Sequence, residues 1–208
     1  MTGQFIVFEG GEGSGKTTQV RLLAAALNHD ALVTRQPGGT AIGRIIRSLL
    51  LDSPTGSVSD RAEALLYAAD RAQHVDEVIR PALEAGTVVI SDRYVDSSLA
   101  YQAAGRDMDG AWIQELSRWA TDGLVPDLTI VLDVHPEIGL QRAARRGAAD
   151  RLEQEDIGFH WRVRDAFLAL AEADPGRYLV LEAGQPADWL ADIIAERVRG
   201  LVAAGAAA

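Results

Sequence analysis

Lysine occurs once in this chain. It stands at position 16, inside Gly10-Gly11-Glu12-Gly13-Ser14-Gly15-Lys16-Thr17, and the other nineteen basic residues are all arginine. The run fits G-x-x-x-x-G-K-[ST], with a strand-like Phe5 to Phe8 before it and a helical pattern from Thr17 to Leu27 after it, the context that motif requires. Glycines let the backbone fold close around an anion with its N–H groups turned inward. The helix that follows aims its positive end at the same charge. Lys16 then reaches the β and γ phosphates of a nucleotide and Thr17 offers a hydroxyl to Mg²⁺. Gly10, Gly11, Glu12, Gly13, Ser14, Gly15 and Thr18 make up the rest of the cradle.

Val88-Val-Ile-Ser-Asp-Arg-Tyr94 reads as a buried strand ending in a carboxylate and a guanidinium. Beside a phosphate loop, Asp92 suits Mg²⁺ through water, and Arg93 suits bidentate contact with phosphate oxygens. A helix cap and a surface ion pair are the alternative for these two. Glu9, at the end of the first strand, is either a hydroxyl acceptor or metal-shell ligand, or a solvated strand end. Arg142, Arg145, Arg146 and Arg151 crowd one stretch of an otherwise acidic protein. Like charges three and four apart repel, so an anion to balance them is one inference, with the segment from about 142 to 153 acting as a lid over phosphates. Cations meeting the dipole of a last helical turn are the other.

Tyr67, Asp70, Arg71 and His74 are spaced by threes and fours and so share a helical face, which suits a planar, hydrogen-bonding ligand. A core tyrosine, an arginine paired with an acid and a surface histidine read equally well from spacing alone. Ser97, Ser98, Tyr101 and Gln102 follow Asp92-Arg93 and either join that pocket or cap a short helix. Thr34-Arg-Gln-Pro-Gly-Gly-Thr40, through Pro37, is a rigid turn ending in a helix cap at Thr40; it either serves only as a connection or brings Arg35, at a strand end, to a phosphate.

These residues need strand ends to hold them. Short apolar runs at Gln4 to Glu9, Ala31 to Arg35, Thr87 to Asp92, Leu128 to Asp133 and Tyr178 to Glu182 read as strands buried on both faces. Helical patterns at about 16–28, 40–50, 60–85, 108–122, 136–146, 153–172 and 186–202 separate them, and Pro81 should end or kink the third. Alternating strands and helices predict an α/β fold with one open parallel sheet and ligands at its C-terminal edge. A length of 208 residues suits a single domain over 1–208, with a frayed tail at 203–208. The net charge of −10 argues against general nucleic-acid affinity. No cysteine, no charged leader and no apolar stretch near 18 residues point away from disulfides, secretion and membrane spanning, and toward the cytoplasm. A guanine-reading switch is excluded because Asn28, followed by His29, is the lone asparagine.

The combination of Phe8-Glu-Gly-Gly-Glu-Gly-Ser-Gly-Lys-Thr-Thr-Gln19, the Arg35 to Thr40 turn, Ala69-Asp-Arg-Ala-Gln-His-Val75, Asp92-Arg-Tyr94 with Ser97 to Gln102, Pro126 to Thr129 and Asp150-Arg-Leu-Glu153 resembles the thymidylate kinases over nearly the whole chain. The resemblance implies a P-loop nucleotide kinase with a five-stranded parallel sheet and a lid. It implies transfer of the γ-phosphoryl group of ATP to dTMP with Mg²⁺, in a homodimer; the apolar face of Leu65, Leu66 and Ala69 is compatible with one and equally with packing on the chain's own core. It implies that Arg93 bridges donor and acceptor phosphates, Arg35 meets the dTMP phosphate, Glu9 accepts from the sugar and Tyr67 stacks on thymine. Arg71 would reach a thymine carbonyl, Ser98 or Gln102 the base edge, and Tyr101 would exclude a 2′-hydroxyl. No arginine lies between Gly10 and Lys16, which resembles the bacterial subtype whose catalytic arginines come from the lid. Gln36 and Arg44 stand where that family usually carries acids, an exchange expected to leave more positive charge near Arg35 and Arg47. Another nucleotide kinase on the same scaffold, and an ATP-gated assembly factor, are the competing readings.

Overall fold

The computed structural model describes residues 3–28, 30–52, 58–145, 147 and 149–207. Five parallel strands form one sheet in the order β2-β3-β1-β4-β5: β1 Phe5–Glu9, β2 Ala31–Arg35, β3 Val88–Asp92, β4 Leu128–Asp133 and β5 Tyr178–Glu182. β1 pairs with β3 and β4, with Phe8 opposite Asp92 and Ile130, so the ends of the three central strands open side by side. The connection leaving β1 runs toward β2 and the one leaving β4 runs the other way to β5. Between them lies the crevice where such sheets take ligands.

The apolar runs translate into two-sided burial only at the centre. β1 is buried at every position, whereas the edge strands β2 and β5 expose Val33 and Val180. Alternation along β1 sorts its side chains between faces. Ile6 and Phe8 pack with Val20 and Leu23 of α1 (Lys16–Ala26) and with Leu190, Ile194 and Val198 of α9 (Ala187–Ala207), while Phe5 and Val7 pack with Val75, Ile79 and Leu83. A third cluster sets Tyr101 against Phe159, Val163 and Phe167 of α8 (Ile157–Ala173).

The long third helix is three pieces: α3 Asp60–His74, a π-helical turn Val75–Ile79, and α4 Arg80–Glu84 with Pro81 in its first turn. Proline lacks an N–H and its ring crowds the carbonyl four residues back, so the wider turn just before Pro81 relieves both problems without ending the helix. A second π-helical stretch, Leu99–Gly105, continues α5 (Val95–Ser98) and carries Tyr101 and Gln102. α2 (Ala41–Leu51) starts as expected, Thr40 Oγ1 accepting from Gly43 N at 2.9 Å. α6 (Gly110–Ala120) and α8 begin later than the periodicity predicts, where Asp109 and Asp156 accept from the first free amides. α7 is Pro136–Ala144. The expected frayed tail is instead helix through Ala207, packed so that Gly205 sits against the side chain of Gln4.

Candidate active site

The phosphate loop is held from below by close backbone contacts. Gly13, at φ 63°, lies against the Gly139 carbonyl at a distance no Cβ would tolerate, and Gly10, at φ 136°, lies equally close to Leu132. Lys16 Nζ is nearly buried inside the loop and donates to Gly10 O at 3.0 Å, Gly11 O at 2.8 Å and Ser14 Oγ at 3.2 Å. Burial, then the Arg93 charge, bring its ammonium down to about 8 against the opposing pull of Glu12, Asp92 and Glu9. Thr17 Oγ1 donates to Asp92 Oδ2 at 2.9 Å, joining the helix start to the end of β3. A cleft of about 730 Å³ opens above, lined by Glu12 to Thr18, Arg35, Asp92, Arg93 and Arg142 among others.

Beside it is a narrower cavity of about 110 Å³, lined by Glu12, Gln36, Pro37, Arg47, Tyr67, Arg71, Arg93, Ser97, Ser98, Tyr101 and Gln102. That space is on the scale of a single flat ring. Arg93, Glu12, Gln36, Arg47 and Asp150 border both spaces. Arg93 is held at φ 74°, a left-handed conformation an arginine adopts only under constraint. The constraint is visible. Its N–H donates to Phe8 O at 2.9 Å, Nη1 to Gly10 O at 3.2 Å and Ser97 Oγ at 3.1 Å, and Nη2 to Glu12 Oε1 at 3.0 Å and Tyr101 OH at 3.1 Å. Burial works against the charge on Arg93, but Tyr101 and the surrounding carboxylates outweigh it and push the guanidinium up. Burial likewise opposes the charge on Glu12, yet Arg93, Lys16 and the Tyr101 hydroxyl at 2.5 Å bring it down to about 2.

Arg71 is the contrasting case. It is 2% exposed, and its three nitrogens donate to neutral partners: Gln36 Oε1 at 3.0 Å, Ser98 Oγ at 3.1 Å and Tyr94 O at 3.0 Å. Burial therefore lowers its affinity for the proton, and its charge faces the cavity with no ion pair among the described residues. The four residues of that helical face divide. Tyr67 and Arg71 line the cavity, but Asp70 Oδ1 accepts from Gly38 N at 2.9 Å, and His74 lies buried between Thr34 Oγ1 at 2.6 Å and Gln36 Nε2 at 2.9 Å. Burial, then Arg71, push His74 down to about 4, so it is neutral near pH 7. Because Gln36 donates to Nδ1, the hydrogen sits on Nε2.

Several expectations change. Gln36 borders the same cleft as Arg35 and Arg47, but its amide is engaged elsewhere. It spans Arg71 and His74, so the amide in place of an acid leaves its excess charge on Arg71. Glu9 is neither solvated nor open to a cavity: it is fully buried, and its oxygens accept from Tyr94 N at 2.7 Å, Ser97 N at 3.2 Å and Ser97 Oγ at 2.6 Å, fixing the start of α5. Burial, then Asp96, push its carboxyl up to about 7. Among the lid arginines, Arg142 lines the phosphate cleft and donates to Ala183 O at 3.0 Å, whereas exposed Arg145 lines neither space. Arg146 lies outside the described residues. Arg151 turns away to Leu50 O at 3.0 Å and to buried Glu63, drawing Leu152 against the cavity. Arg35 and Thr18 border the wide cleft, and Pro37, Ser98, Tyr101 and Gln102 the narrow cavity.

Two residues escaped the sequence reading as site residues. Arg47 projects from α2 between the two spaces and donates to Pro37 O at 3.0 Å; its position seven residues past the Thr40 cap, two helical turns into α2, was the available signal. Glu63 precedes Tyr67 and Arg71 by four and eight residues, on the same face of α3.

A sequence profile described as thymidylate kinase matches residues 8–194. A thymidylate kinase of Clavibacter sepedonicus is 53% identical over the full length of both chains, and one of Deinococcus radiodurans is 53% identical over 90% of this chain and 92% of its own. The crystal structure of thymidylate kinase from Ehrlichia chaffeensis superimposes with a TM-score of 0.78 at 30% identity, covering 96% of this chain and all of that one.

Proposed function

The chain belongs to the thymidylate kinase family and phosphorylates dTMP to dTDP with ATP as donor, and we propose that it brings the two phosphate chains together across Arg93, the guanidinium shared by the wide cleft and the narrow cavity. In this reading the loop amides and Lys16 hold the β and γ phosphates of ATP. Arg35 and Arg47 draw in the phosphate of dTMP, and Arg93 with Arg142 neutralises the charge between the two. The acceptor is already an anion, so no strong general base is needed, and positioning with charge neutralisation carries the catalysis. The thymine lies in the cavity against Tyr67, with Arg71 donating to a carbonyl and Gln102 at the base edge. Ser98 acts one step back, holding Arg71. Tyr101, wedged between Glu12 and Arg93, closes the sugar side.

Mg²⁺ fits the donor set at the cleft floor. Thr17 and Asp92 supply a hydroxyl and a carboxylate oxygen 2.9 Å apart, the hard oxygens this ion takes when phosphates complete its shell. It would supply charge on the β and γ oxygens. Glu9 takes no part, since its oxygens are engaged by α5. ADP and dTDP should form only with Mg²⁺ and both nucleotides, and Asp92→Asn should raise the Mg²⁺ concentration for half-maximal rate. Turnover of CMP as efficient as that of dTMP would overturn the base reading.

A homodimer and a cytoplasmic setting are part of the same proposal. α2, α3 and α6 pack side by side and each turns an apolar stripe outward: Ile42, Ile45 and Leu49, then Leu65, then Trp112 and Trp119, the last 79% exposed. Apolar side chains exposed across adjacent helices suit an interface. Sedimentation equilibrium is expected to give twice the mass of one chain, and Ile45→Glu to give one. A wild-type monomer at micromolar concentration would refute the pairing. No helix among the described residues is long and apolar enough to cross a membrane.

A further inference from the structure

Gln102 and Arg71 both line the narrow cavity, and each is oriented by a buried partner behind it. Gln102 Nε2 donates to Glu63 Oε1 at 2.8 Å. Glu63 is fully buried on the first turn of α3, and its other oxygen accepts from Arg106 Nη2 at 3.4 Å and from Arg151. A carboxylate facing two guanidiniums offers acceptors only. If the Gln102 amide turned over, two oxygens would meet in a buried space and the amide nitrogen would lose its partner, which interiors do not tolerate. The amide is thereby fixed with its oxygen free, since no donor among the described residues meets Gln102 Oε1.

We propose that Glu63 is a positioning residue for base selection: through the Gln102 amide it presents an acceptor to the cavity beside the donor Arg71, and so selects a pyrimidine with a carbonyl next to a ring N–H. The inference rests on Gln102 meeting the base edge, as proposed above. A 4-oxo pyrimidine offers a carbonyl to Arg71 and N3–H to Gln102 Oε1. A 4-amino pyrimidine offers the reverse, an amino donor facing a guanidinium and a bare nitrogen facing an oxygen. Neither contact forms, and each leaves a desolvated polar group unpaired, the arrangement by which sites reject close analogues most strongly. Glu63, Tyr67 and Arg71 share one face of α3, so a single helix carries the ring contact, the donor and the group that orients the acceptor.

Glu63→Gln tests this, because a glutamine there donates or accepts and leaves the Gln102 amide free to turn. The readout is kcat/KM for dUMP against dCMP, which differ only at ring position 4 and in the hydrogen on N3. The ratio is expected to fall by about tenfold or more in Glu63→Gln, the equivalent of roughly 1.4 kcal/mol. Arg106→Gln removes an ion pair from the same carboxylate but keeps the Glu63–Gln102 bond, so it should hold the ratio within about twofold of wild type. Should Glu63→Gln not fold, Glu63→Asp keeps the charge beside the arginines, draws it back from Gln102, and should show the same fall. An unchanged ratio in a folded Glu63 variant, or an equal fall in Arg106→Gln, overturns the proposal. Gln102→Leu separates it from its premise. A ratio unchanged there removes the base-edge reading and the proposal with it, whereas a ratio lost there but kept in Glu63→Gln overturns the role of Glu63 alone.

Discussion

Arg93→Ala is expected to lower kcat by about three orders of magnitude or more, the range over which a guanidinium at a transferring phosphoryl group acts. The residue borders both the wide cleft and the narrow cavity, and its left-handed backbone is maintained by five protein hydrogen bonds. Strain of this kind persists only where the surroundings over-determine it, and here they aim the planar fork at the boundary between the two spaces. Arg93→Lys should recover little of the rate, because an ammonium replaces the fork by a point charge. The truncation also strips Glu12 of its counter-charge, so some stability is lost with the activity. Combining Arg93→Ala with Glu12→Gln tells the two apart: denaturant midpoints should recover toward wild type while kcat stays low. A double variant that regained the rate would show that Arg93 acts only by holding the loop.

The parts of this site written in local pattern were legible from the chain, and those written in tertiary pairing were not. The phosphate loop is a contiguous run whose glycines, lysine and threonine act on their own backbone, and three of the five strands begin and end where their apolar runs do. Helix starts were displaced where an aspartate caps later, at Asp109 and Asp156, because capping geometry overrides periodicity. Pro81 does interrupt the third helix, but through a π-helical turn just before it rather than by an end, a form that the sequence pattern does not specify. Glu9 and Arg151 had the right chemistry for phosphate work, but their partners come from 85 to 88 residues away, and no spacing rule shows that Tyr94, Ser97 and Glu63 have already engaged them. Gln36 is the sharpest instance. As a sequence departure it suggested altered charge near Arg35, yet its two amide atoms face Arg71 and His74.

Lys16→Ala should lower kcat by two to three orders of magnitude, as loss of a transition-state donor does elsewhere, with the circular dichroism spectrum unchanged. The ammonium already donates to two carbonyls and a hydroxyl of the loop, so it both shapes the cradle and places a positive charge inside it. Shape alone does not neutralise phosphate oxygens. Burial and the Arg93 charge bring Lys16 down to about 8, so raising the pH past that value converts the ammonium to a neutral amine and removes attraction for ATP. The kcat/KM for ATP in the wild type is therefore expected to fall on the alkaline side of pH 8, and the Lys16→Ala profile to lack that limb. Lys16→Arg keeps a charge above pH 8 but sets a bulky fork where three close acceptors fit an ammonium, so it should also lack the limb while remaining slow. An alkaline limb that survived in both variants would belong to another group, and wild-type turnover in Lys16→Ala would mean that the amides and guanidiniums of the cleft suffice without it.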